Sequence, residues 1–337
     1  MNTEPSPHDQ LMRFILAKWI CKPIYAVAEL GIADLLGEGP RYVEDLARMT
    51  RVKPDLLYRV LRALASVGIF AEGQERRFQL TPMASLLQSG SLRSTAMTFH
   101  SAWNDRAWMH LLDGLRSGDT PFEEAFGTDL VDWLEANPRD AELLHQANAV
   151  RSAQFGRAVC EAYDFSRFTR LTDVGGGYGT LLLEILAVCP TLTGIVADLA
   201  PLSAAVEKAI QARGIGERCR FVQCDFFKGV PAGSDAYILA NILHDWPDEK
   251  AAEILKNCRR AMAADATLLI LEMIVPSGNA PSVAKLLDLE MMVVTGGRER
   301  SQGEFRRLLD SAGFSLQRIL PIDQDLALLE ASPQVLP

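Results

Sequence analysis

The chain has 337 residues, 48% hydrophobic and 23% charged, a balance typical of a globular protein with a substantial core. Its formal net charge of -9 disfavours nucleic acid as a partner. Residues 1–10 lack the pattern of a secretory signal, and no apolar stretch is long enough to cross a bilayer, so we expect a cytoplasmic protein without a membrane anchor.

The first predicted region, residues 1–90, is helical. Apolar residues recur at helical spacing over residues 11–36, and Gly37 and Gly39 end that pattern. Residues 43–49 and 54–67 predict two helices joined by a turn, and residues 70–80 alternate as in a hairpin around Gly73. Helix, turn, helix and hairpin together predict a winged-helix-like unit.

The second predicted region, residues 91–163, is also helical and is rich in aromatic side chains. These side chains suit either a pocket for a flat aromatic molecule or an ordinary core, and the sequence leaves both interpretations open. They are Phe99, Trp103, Trp108, Phe122, Phe126, Trp133 and Phe155.

The third predicted region, residues 164–337, alternates short apolar strands with helices. The pattern predicts strands at residues 171–174, 194–197, 220–223, 236–240 and 267–272, and a helix at residues 180–188. Such alternation favours an α/β fold with a parallel, doubly wound, Rossmann-like sheet.

A glycine-rich turn follows the first of these strands, in D-V-G-G-G-Y-G (residues 173–179). Glycines such as Gly175 and Gly177 let the backbone approach a ligand closely, and ligands of open α/β sheets bind at the carboxyl ends of strands. The G-x-G-x-G spacing differs from the G-x-G-x-x-G of pyrophosphate sites. Asp173 before it suits a cation, and S-adenosylmethionine is a cationic nucleoside.

Two further acids end the next strands. Asp198, followed by Leu199, can accept hydrogen bonds from both hydroxyls of a ribose. Asp225 can accept from an adenine amino group while Phe226 packs against the ring. Each acid alone is as well explained as a loop cap, but their placement at consecutive strand ends predicts a nucleoside site.

A candidate general base, His244, lies in I-L-H-D-W-P-D (residues 242–248), between the fourth strand and a helix that Pro247 begins. A histidine there can remove a proton near neutral pH. Glu272, at the end of the fifth strand, or Glu299 could orient its ring. A salt bridge with Arg298 or Arg300 is an equally good interpretation of Glu299.

Taken together, these motifs resemble the plant-type, caffeate-like small-molecule O-methyltransferases and their bacterial relatives from antibiotic and pigment pathways. The resemblance covers nearly the whole chain. It rests on D-V-G-G-G-x-G, the acid at Asp198, D-F-F (residues 225–227), L-H-D-W (residues 243–246), the strand ending in Glu272, and G-G-R-E-R (residues 296–300).

The resemblance implies a class I methyltransferase with an N-terminal dimerisation domain that intertwines with the partner subunit and helps close its pocket. His244 would be the base, held by Glu272 and Glu299. The cofactor, S-adenosylmethionine (product S-adenosylhomocysteine), would contact the residues Gly175, Gly177, Asp198, Leu199, Asp225, Phe226 and Ser152. An aromatic acceptor would contact the residues Trp103, Asn148, Asp245, Met291 and Met292.

Two departures from the plant pattern put phenylpropanoid acceptors in doubt. A lysine that plant members place before the H-D-W motif aligns with Ala240, and a methionine that clamps the plant substrate aligns with Asn148. The motifs leave the base intact. They imply a phenolic hydroxyl placed between His244 and the sulfonium methyl, and a reaction that needs no metal.

Several other functions stay open at this point. A nicotinamide-dependent dehydrogenase shares the sheet and the ribose acid but not the glycine spacing. A DNA-binding regulator would use the winged-helix unit, where residues 41–79 carry a modest basic excess. The same fold also supports N-methylation, hydroxylation, decarboxylation and pericyclic chemistry. The six cysteines show no C-x-x-C pair and no zinc-like cluster, so we expect reduced, mostly buried thiols and no metal site.

Overall fold

A computed structural model describes residues 6–334 of the chain. The ends of the first and third predicted regions, residues 1–5 and 335–337, lie outside the described part. The helices are α1 Pro7–Ile15, α2 Lys18–Glu29, α3 Ile32–Leu35, α4 Val43–Thr50, α5 Pro54–Ser66, α6 Pro82–Ser85, α7 Arg93–Phe99, α8 Ala102–Met109, α9 Leu111–Ser117, α10 Pro121–Phe126, α11 Leu130–Ala136, α12 Pro138–Ala162, α13 Thr180–Val188, α14 Ser203–Ala212, α15 Asp248–Ala261, α16 Val283–Val294 and α17 Gln302–Ser311.

The strands form two sheets. They are β1 Arg41–Tyr42, β2 Phe70–Glu72, β3 Arg77–Leu80, β4 Arg170–Val174, β5 Thr193–Asp198, β6 Cys219–Gln223, β7 Ala236–Ala240, β8 Thr267–Met273, β9 Phe314–Asp323 and β10 Leu326–Pro333. The small sheet has the order β1-β3-β2, and the large one has the order β6-β5-β4-β7-β8-β10-β9.

The chain divides into two compact units. One contains the described residues up to Asp105 together with Asn137–Val150, and the other contains Arg106–Ala136 and the described residues from Arg151 onward. The predicted middle region, residues 91–163, is therefore shared between the units, because the long helix α12 begins in one and ends in the other.

The first unit has the helix, turn, helix and hairpin that the sequence predicts. Arg51 takes a left-handed conformation (φ 60°) that ends α4 and reverses the chain into the turn. Pro54 then begins α5 at a position where an N–H would have no partner within the helix. The β2–β3 hairpin is antiparallel, and β1 adds a third strand to it. Leu46, Leu61 and Phe78 are fully buried in the core of this unit.

The second unit is a doubly wound sheet, which confirms the predicted fold class. Alternate side chains of β7 point to opposite faces: Ile238 packs with the α13 side, whereas Tyr237 and Leu239 pack with the α15 and α17 side. Both faces are buried, which explains the unbroken apolar runs of the central strands. The strands from β6 to β8 pair in parallel.

The sequence predicts a parallel sheet, but the observed sheet is only partly parallel. Strands β9 and β10 extend it with an antiparallel pair, and β10 lies directly against β8, with Ala327 opposite Glu272. Polar and charged residues interrupt β9, including Arg318, so its pattern does not read as a buried strand.

Candidate active site

The carboxyl ends of strands β4, β5, β7 and β8 bring the predicted motifs to one edge of the sheet within the second unit. The glycine loop that follows β4 takes left-handed φ values at Gly175 (71°) and Gly177 (57°), which explains the need for glycine there. A Cβ on Gly175 would lie 2.5 Å from Cδ1 of Ile242, two residues before His244. The glycine loop and the histidine turn are therefore in close contact.

Asp198 stands at the end of β5 beside this loop. Its Oδ2 accepts a hydrogen bond from the N–H of Gly177 (2.7 Å), and its Oδ1 accepts one from the N–H of Leu199 (2.6 Å). The side chain of Leu199 is exposed. A carboxylate held in this way beside an open glycine loop has the acceptor oxygens that a ribose diol requires.

Asp173 differs from the expectation that it would present a negative charge to a ligand. The residue is 1% exposed, and a Cβ on Gly176 would lie 2.8 Å from its Oδ2, so the carboxyl group lies beneath the loop. Burial, together with the charge of Asp198, raises the pKa of Asp173 to about 7. Asp173 therefore supports the loop from below rather than facing outward.

Asp225 makes the contacts of a loop cap. Its Oδ1 accepts from the N–H of Phe227 (3.0 Å), and its Oδ2 pairs with Nζ of Lys228 (2.9 Å). The ring of Phe226 is partly buried and packs edge-on against the rings of Phe227 and Trp246. These contacts agree with the loop-cap interpretation and leave an adenine contact as a prediction.

His244 lies in a short 3₁₀ turn, residues 243–245, between β7 and α15. The residue is 2% exposed, and its Nδ1 lies 2.6 Å from Oε1 of the equally buried Glu299. Glu299 does not form the salt bridge that was the alternative, because Arg298 pairs with Glu304 and Arg300 with Asp248. A carboxylate on Nδ1 accepts its proton, so a neutral ring carries its lone pair on Nε2.

Glu272, near the end of β8, contacts the same turn but does not hold the ring. Its Oε1 accepts from the backbone N–H groups of Leu243 (2.7 Å) and His244 (3.3 Å). Of the two acids, Glu299 is therefore the one that contacts the imidazole, whereas Glu272 contacts the backbone. Burial raises the pKa of Glu272 to about 7.

The charges around His244 favour its protonated form. Burial lowers the pKa of the ring, but Asp245, Glu299 and Glu272 outweigh this effect and raise it to about 9. Within residues 6–334, Oε2 of Glu272 and Oε2 of Glu299 have no hydrogen-bond partner. These two oxygens could accept from a donor group or face a cation such as a sulfonium bound at this edge.

Two basic residues at this site make contacts that the sequence did not indicate. Arg300 is fully buried, and its guanidinium donates to the carbonyl oxygens of Leu243 and Trp246 (both 2.8 Å) and to Asp248 (2.9 Å). Arg151, on α12, interacts electrostatically with Asp245, Glu299 and Glu272. No local pattern marks a buried arginine in advance, because arginine is usually exposed.

The remaining predicted residues are divided between the units. Ser152, Asp245, Met291 and Met292 belong to the second unit, where Oδ1 of Asp245 lies 3.7 Å from Nε2 of His244. Met291 is buried on α16. Trp103 and Asn148 lie on α8 and α12 in the first unit, and Trp103 is buried there. Their contacts with a substrate stay predictions.

The described residues contain neither a candidate metal cluster nor a helix that could span a membrane. No group of three or more histidine, cysteine, aspartate or glutamate side chains in residues 6–334 could hold a metal ion. None of the helices in this range is both long enough and apolar enough to cross a bilayer. The cysteines in it are free.

Two family models match the sequence. An O-methyltransferase domain matches residues 108–315, and an O-methyltransferase dimerisation domain matches residues 12–90. The second match covers the winged-helix-like unit, and the first covers the glycine loop and the histidine turn.

Curated relatives agree with these matches. A phenazine O-methyltransferase of Lysobacter antibioticus is 42% identical over 326 residues, covering 96% of this chain and 95% of the relative. An 8-amino-8-demethylriboflavin N,N-dimethyltransferase of Streptomyces davaonensis is 35% identical, with 98% of each chain covered. The similar proteins therefore include enzymes that methylate nitrogen.

Solved structures share the whole fold. The crystal structure of LaPhzM superimposes with a TM-score of 0.94 at 41% identity, covering 98% of this chain and 100% of the other. Human N-acetylserotonin methyltransferase, solved in complex with S-adenosylmethionine, gives a TM-score of 0.90 at 26% identity, with 99% and 100% covered.

Proposed function

This chain belongs to the S-adenosylmethionine-dependent O-methyltransferases that carry a dimerisation domain, and from that premise we propose that it methylates a phenolic hydroxyl with His244 as general base. It is thus a small-molecule methyltransferase of secondary metabolism, as the sequence motifs had implied. The observation that carries the proposal is the buried pair of His244 and Glu299 beside the glycine loop, at the ligand edge of the sheet.

The residues at this edge fit the cofactor. When bound, S-adenosylmethionine supplies an electrophilic methyl group on a sulfonium cation. Asp198 has acceptor oxygens for the ribose. The backbone is open at Gly177, where no atom lies within 4 Å of the position of a Cβ, and the unpartnered carboxylate oxygens of Glu272 and Glu299 could face a positive charge. We assign further cofactor contacts to the residues Leu199, Asp225, Phe226 and Ser152.

In this mechanism Nε2 of His244 takes the proton as the acceptor oxygen attacks. The O–H bond would break as its proton passes to Nε2, and the oxygen would take the methyl group that the cofactor supplies, with the methyl–sulfur bond breaking and S-adenosylhomocysteine leaving. The imidazolium that results would be stabilised by Glu299 on Nδ1 and by the nearby Asp245. A phenol with an ordinary pKa of about 10 needs this help near neutral pH.

The base must be neutral before it can act, although the surrounding acids raise the pKa of His244 to about 9. A positive charge bound at the same edge opposes the imidazolium and lowers that pKa. His244 would then give up, in the complex with the cofactor, the proton that its ring holds in the free enzyme. This coupling would limit a reactive base to the complex in which a methyl donor is present.

The acceptor is proposed to be a small aromatic molecule. Similar proteins include a 3-amino-4-hydroxybenzoate 4-O-methyltransferase of Streptomyces cremeus, which is 34% identical over 328 residues. We assign the acceptor contacts to Trp103, Asn148, Asp245, Met291 and Met292. The match of residues 12–90 to a dimerisation domain supports a homodimer.

The direct test is His244→Ala. Loss of a general base should lower kcat by about 10²–10⁴-fold while S-adenosylhomocysteine still binds in calorimetry. His110→Ala, at a partly exposed histidine paired with Asp113, is the matched control and should keep full activity. Near-normal turnover by His244→Ala, with phenolic acceptors that the wild type methylates, would remove His244 from the role of base.

N-methylation is the second candidate function, and the similar riboflavin-type N,N-dimethyltransferase favours it. An aromatic amine attacks through its own lone pair, so its methylation does not require His244 to remove a proton in the same step. Paired acceptors that differ only in a hydroxyl or an amino group would separate the two. Transfer to the amine alone, unaffected by His244→Ala, would support N-methylation and contradict the O-methylation proposal.

A further inference from the structure

The fully buried guanidinium of Arg300 spans the turn that carries His244. Its Nη1 donates to the carbonyl oxygen of Leu243, before the histidine, and its Nη2 donates to that of Trp246, after it, both at 2.8 Å. Its Nε donates to Oδ1 of Asp248 (2.9 Å), the first residue of α15. One planar group therefore holds the backbone on both sides of the histidine.

The turn depends on these contacts because its own hydrogen bonds are long. The N–H of Asp245 to the carbonyl of Ile242 and the N–H of Trp246 to the carbonyl of Leu243 both measure 3.3 Å. The turn also begins after Asn241, whose φ of 53° is left-handed and unfavourable for a residue with a Cβ. Such a turn needs outside contacts to keep one shape.

Arg300 is itself fixed to the sheet. Its carbonyl accepts from the N–H of Val275 (3.0 Å), and it forms a parallel bridge with Ile274, just after strand β8. The residue before it, Glu299, holds Nδ1 of the imidazole. Two consecutive residues thus hold the backbone and the ring of His244 from one anchored segment.

We propose that Arg300 is a positioning residue for the base: it fixes the backbone of His244 so that Nε2 points at the reacting oxygen while Glu299 holds Nδ1. This rests on the proposed function of His244. A lysine at this position has one ammonium instead of a planar fork, so it cannot bond both carbonyls and Asp248 in the same geometry. Misplacement of a catalytic group by about 1 Å can cost roughly 10²-fold in rate.

The test compares Arg300→Lys with Arg218→Lys. Arg218 is a matched control because its guanidinium also binds backbone carbonyls, those of Leu186, Cys189 and Leu192. It directly precedes strand β6 and so lies at the amino ends of the parallel strands, at the edge opposite the site. We expect Arg300→Lys to lower kcat by about 10–100-fold, with the S-adenosylhomocysteine Kd unchanged and the acceptor KM changed little. Arg218→Lys should keep the wild-type kcat.

A second readout separates positioning from a merely structural role and needs no acceptor. The imidazole of His244 is followed by NMR titration, with His244→Ala used for assignment. Loosening of the turn should weaken the contact with Glu299. The apparent pKa of His244 should therefore fall in Arg300→Lys and be unchanged in Arg218→Lys. If the lysine variant does not fold, Arg300→Gln takes its place for the kcat comparison alone, because loss of the nearby positive charge would itself raise the pKa of His244.

Three results would overturn the proposal: a folded Arg300 variant with wild-type kcat, an unchanged His244 titration, or a loss of kcat that Arg218→Lys shares in proportion to a loss of folded protein. A wild-type enzyme that binds S-adenosylhomocysteine but methylates no hydroxyl would refute the proposed function instead. The His244 titration would then still decide the role of Arg300.

Discussion

The Nδ1 atom of His244 lies 2.6 Å from Oε1 of Glu299, and both side chains are at most 2% exposed. Fifty-five positions separate the two residues in the chain. A buried carboxylate paired with an imidazole sets the tautomer of the ring and stabilises its protonated form. The pair therefore has the arrangement that a proton-accepting histidine needs.

The first prediction concerns the different tasks of the two glutamates. Glu299→Gln should lower kcat by on the order of 10²–10⁴-fold, because an amide neither fixes the tautomer nor stabilises the imidazolium. Glu272→Gln should lower kcat by a smaller factor, since its amide oxygen can still accept a hydrogen bond from the N–H of Leu243. Steady-state kinetics on both variants would decide, and equal losses would contradict this division.

The second prediction concerns pH. Only the neutral ring accepts a proton, so kcat/KM should rise with pH until the pKa of His244, about 9 in the free enzyme, is passed. The midpoint in kcat should lie lower, because the bound cation opposes the imidazolium. Repeating the profile with a more acidic phenol separates the titration of the acceptor from that of His244. A profile that is flat from pH 6 to 9 would count against the assignment.

The third prediction uses the closest backbone contact at the site. A Cβ on Gly297 would lie 2.0 Å from the carbonyl oxygen of His244, so Gly297→Ala must displace the turn. We expect a loss of about 1–3 kcal/mol in stability and a sharp loss of kcat. Gly303→Ala, in α17 with its nearest neighbour 3.6 Å from the added Cβ, should leave both intact. The measurements are thermal melts and steady-state turnover. A Gly297→Ala variant with the melting temperature and kcat of the wild type would contradict the prediction.

The fourth prediction concerns the buried acid beneath the glycine loop. Because the pKa of Asp173 is raised from 3.8 to about 7, the folded state keeps a proton that the unfolded chain releases, and stability falls as pH rises across that window. Asp173→Asn should therefore gain stability relative to wild type between pH 5 and 8, by about 1.4 kcal/mol per unit of pKa shift.

Asp225→Asn is the control of opposite sign for this measurement. The ion pair with Lys228 and the hydrogen bond from the N–H of Phe227 lower the pKa of Asp225. Its ionised carboxylate therefore stabilises the folded state at neutral pH, and this stabilisation is lost as the group is protonated in acid. Urea unfolding at several pH values would compare the two variants. A pH-independent difference between Asp173→Asn and wild type would contradict the raised pKa.

The fifth prediction concerns cofactor affinity. Asp198→Asn should weaken S-adenosylhomocysteine binding by about 10–150-fold, the value of a hydrogen bond to a charged group. Asp235→Asn is its control, because Asp235 also holds two backbone N–H groups, those of Thr169 and Arg170, but at the opposite edge of the sheet. Calorimetry showing equal affinity for wild type and Asp198→Asn would remove Asp198 from the ribose contact.

The sequence predicted the parallel part of the sheet well because its signals are local. Strand β7 and helix α13 have the predicted bounds, since apolar runs and the left-handed Gly179 mark them within a few residues. Strand β9 was missed because its pattern is irregular and its partner β10 supplies the hydrogen bonds. Propensity carries little information about such pairing.

The same limit applies to the site. Motif order brought His244, Glu272 and Glu299 to one edge, but it could not say which acid reaches the ring and which reaches the backbone. That choice depends on how the segment containing Gly297 and Arg300 packs against the histidine turn, a contact between distant parts of the chain. The buried partners of Arg300 are likewise set by packing rather than by any local pattern.

The separation between His244 and Glu299 also has a consequence for how the enzyme matures. Helix α15, strand β8 and helix α16 lie between them in the chain, so the pair closes only after those elements have assembled. Contacts of such long range form late, because the loop between them must first be ordered. During refolding, helical circular dichroism should therefore recover before methyl transfer does, and partly folded chains would hold no working base.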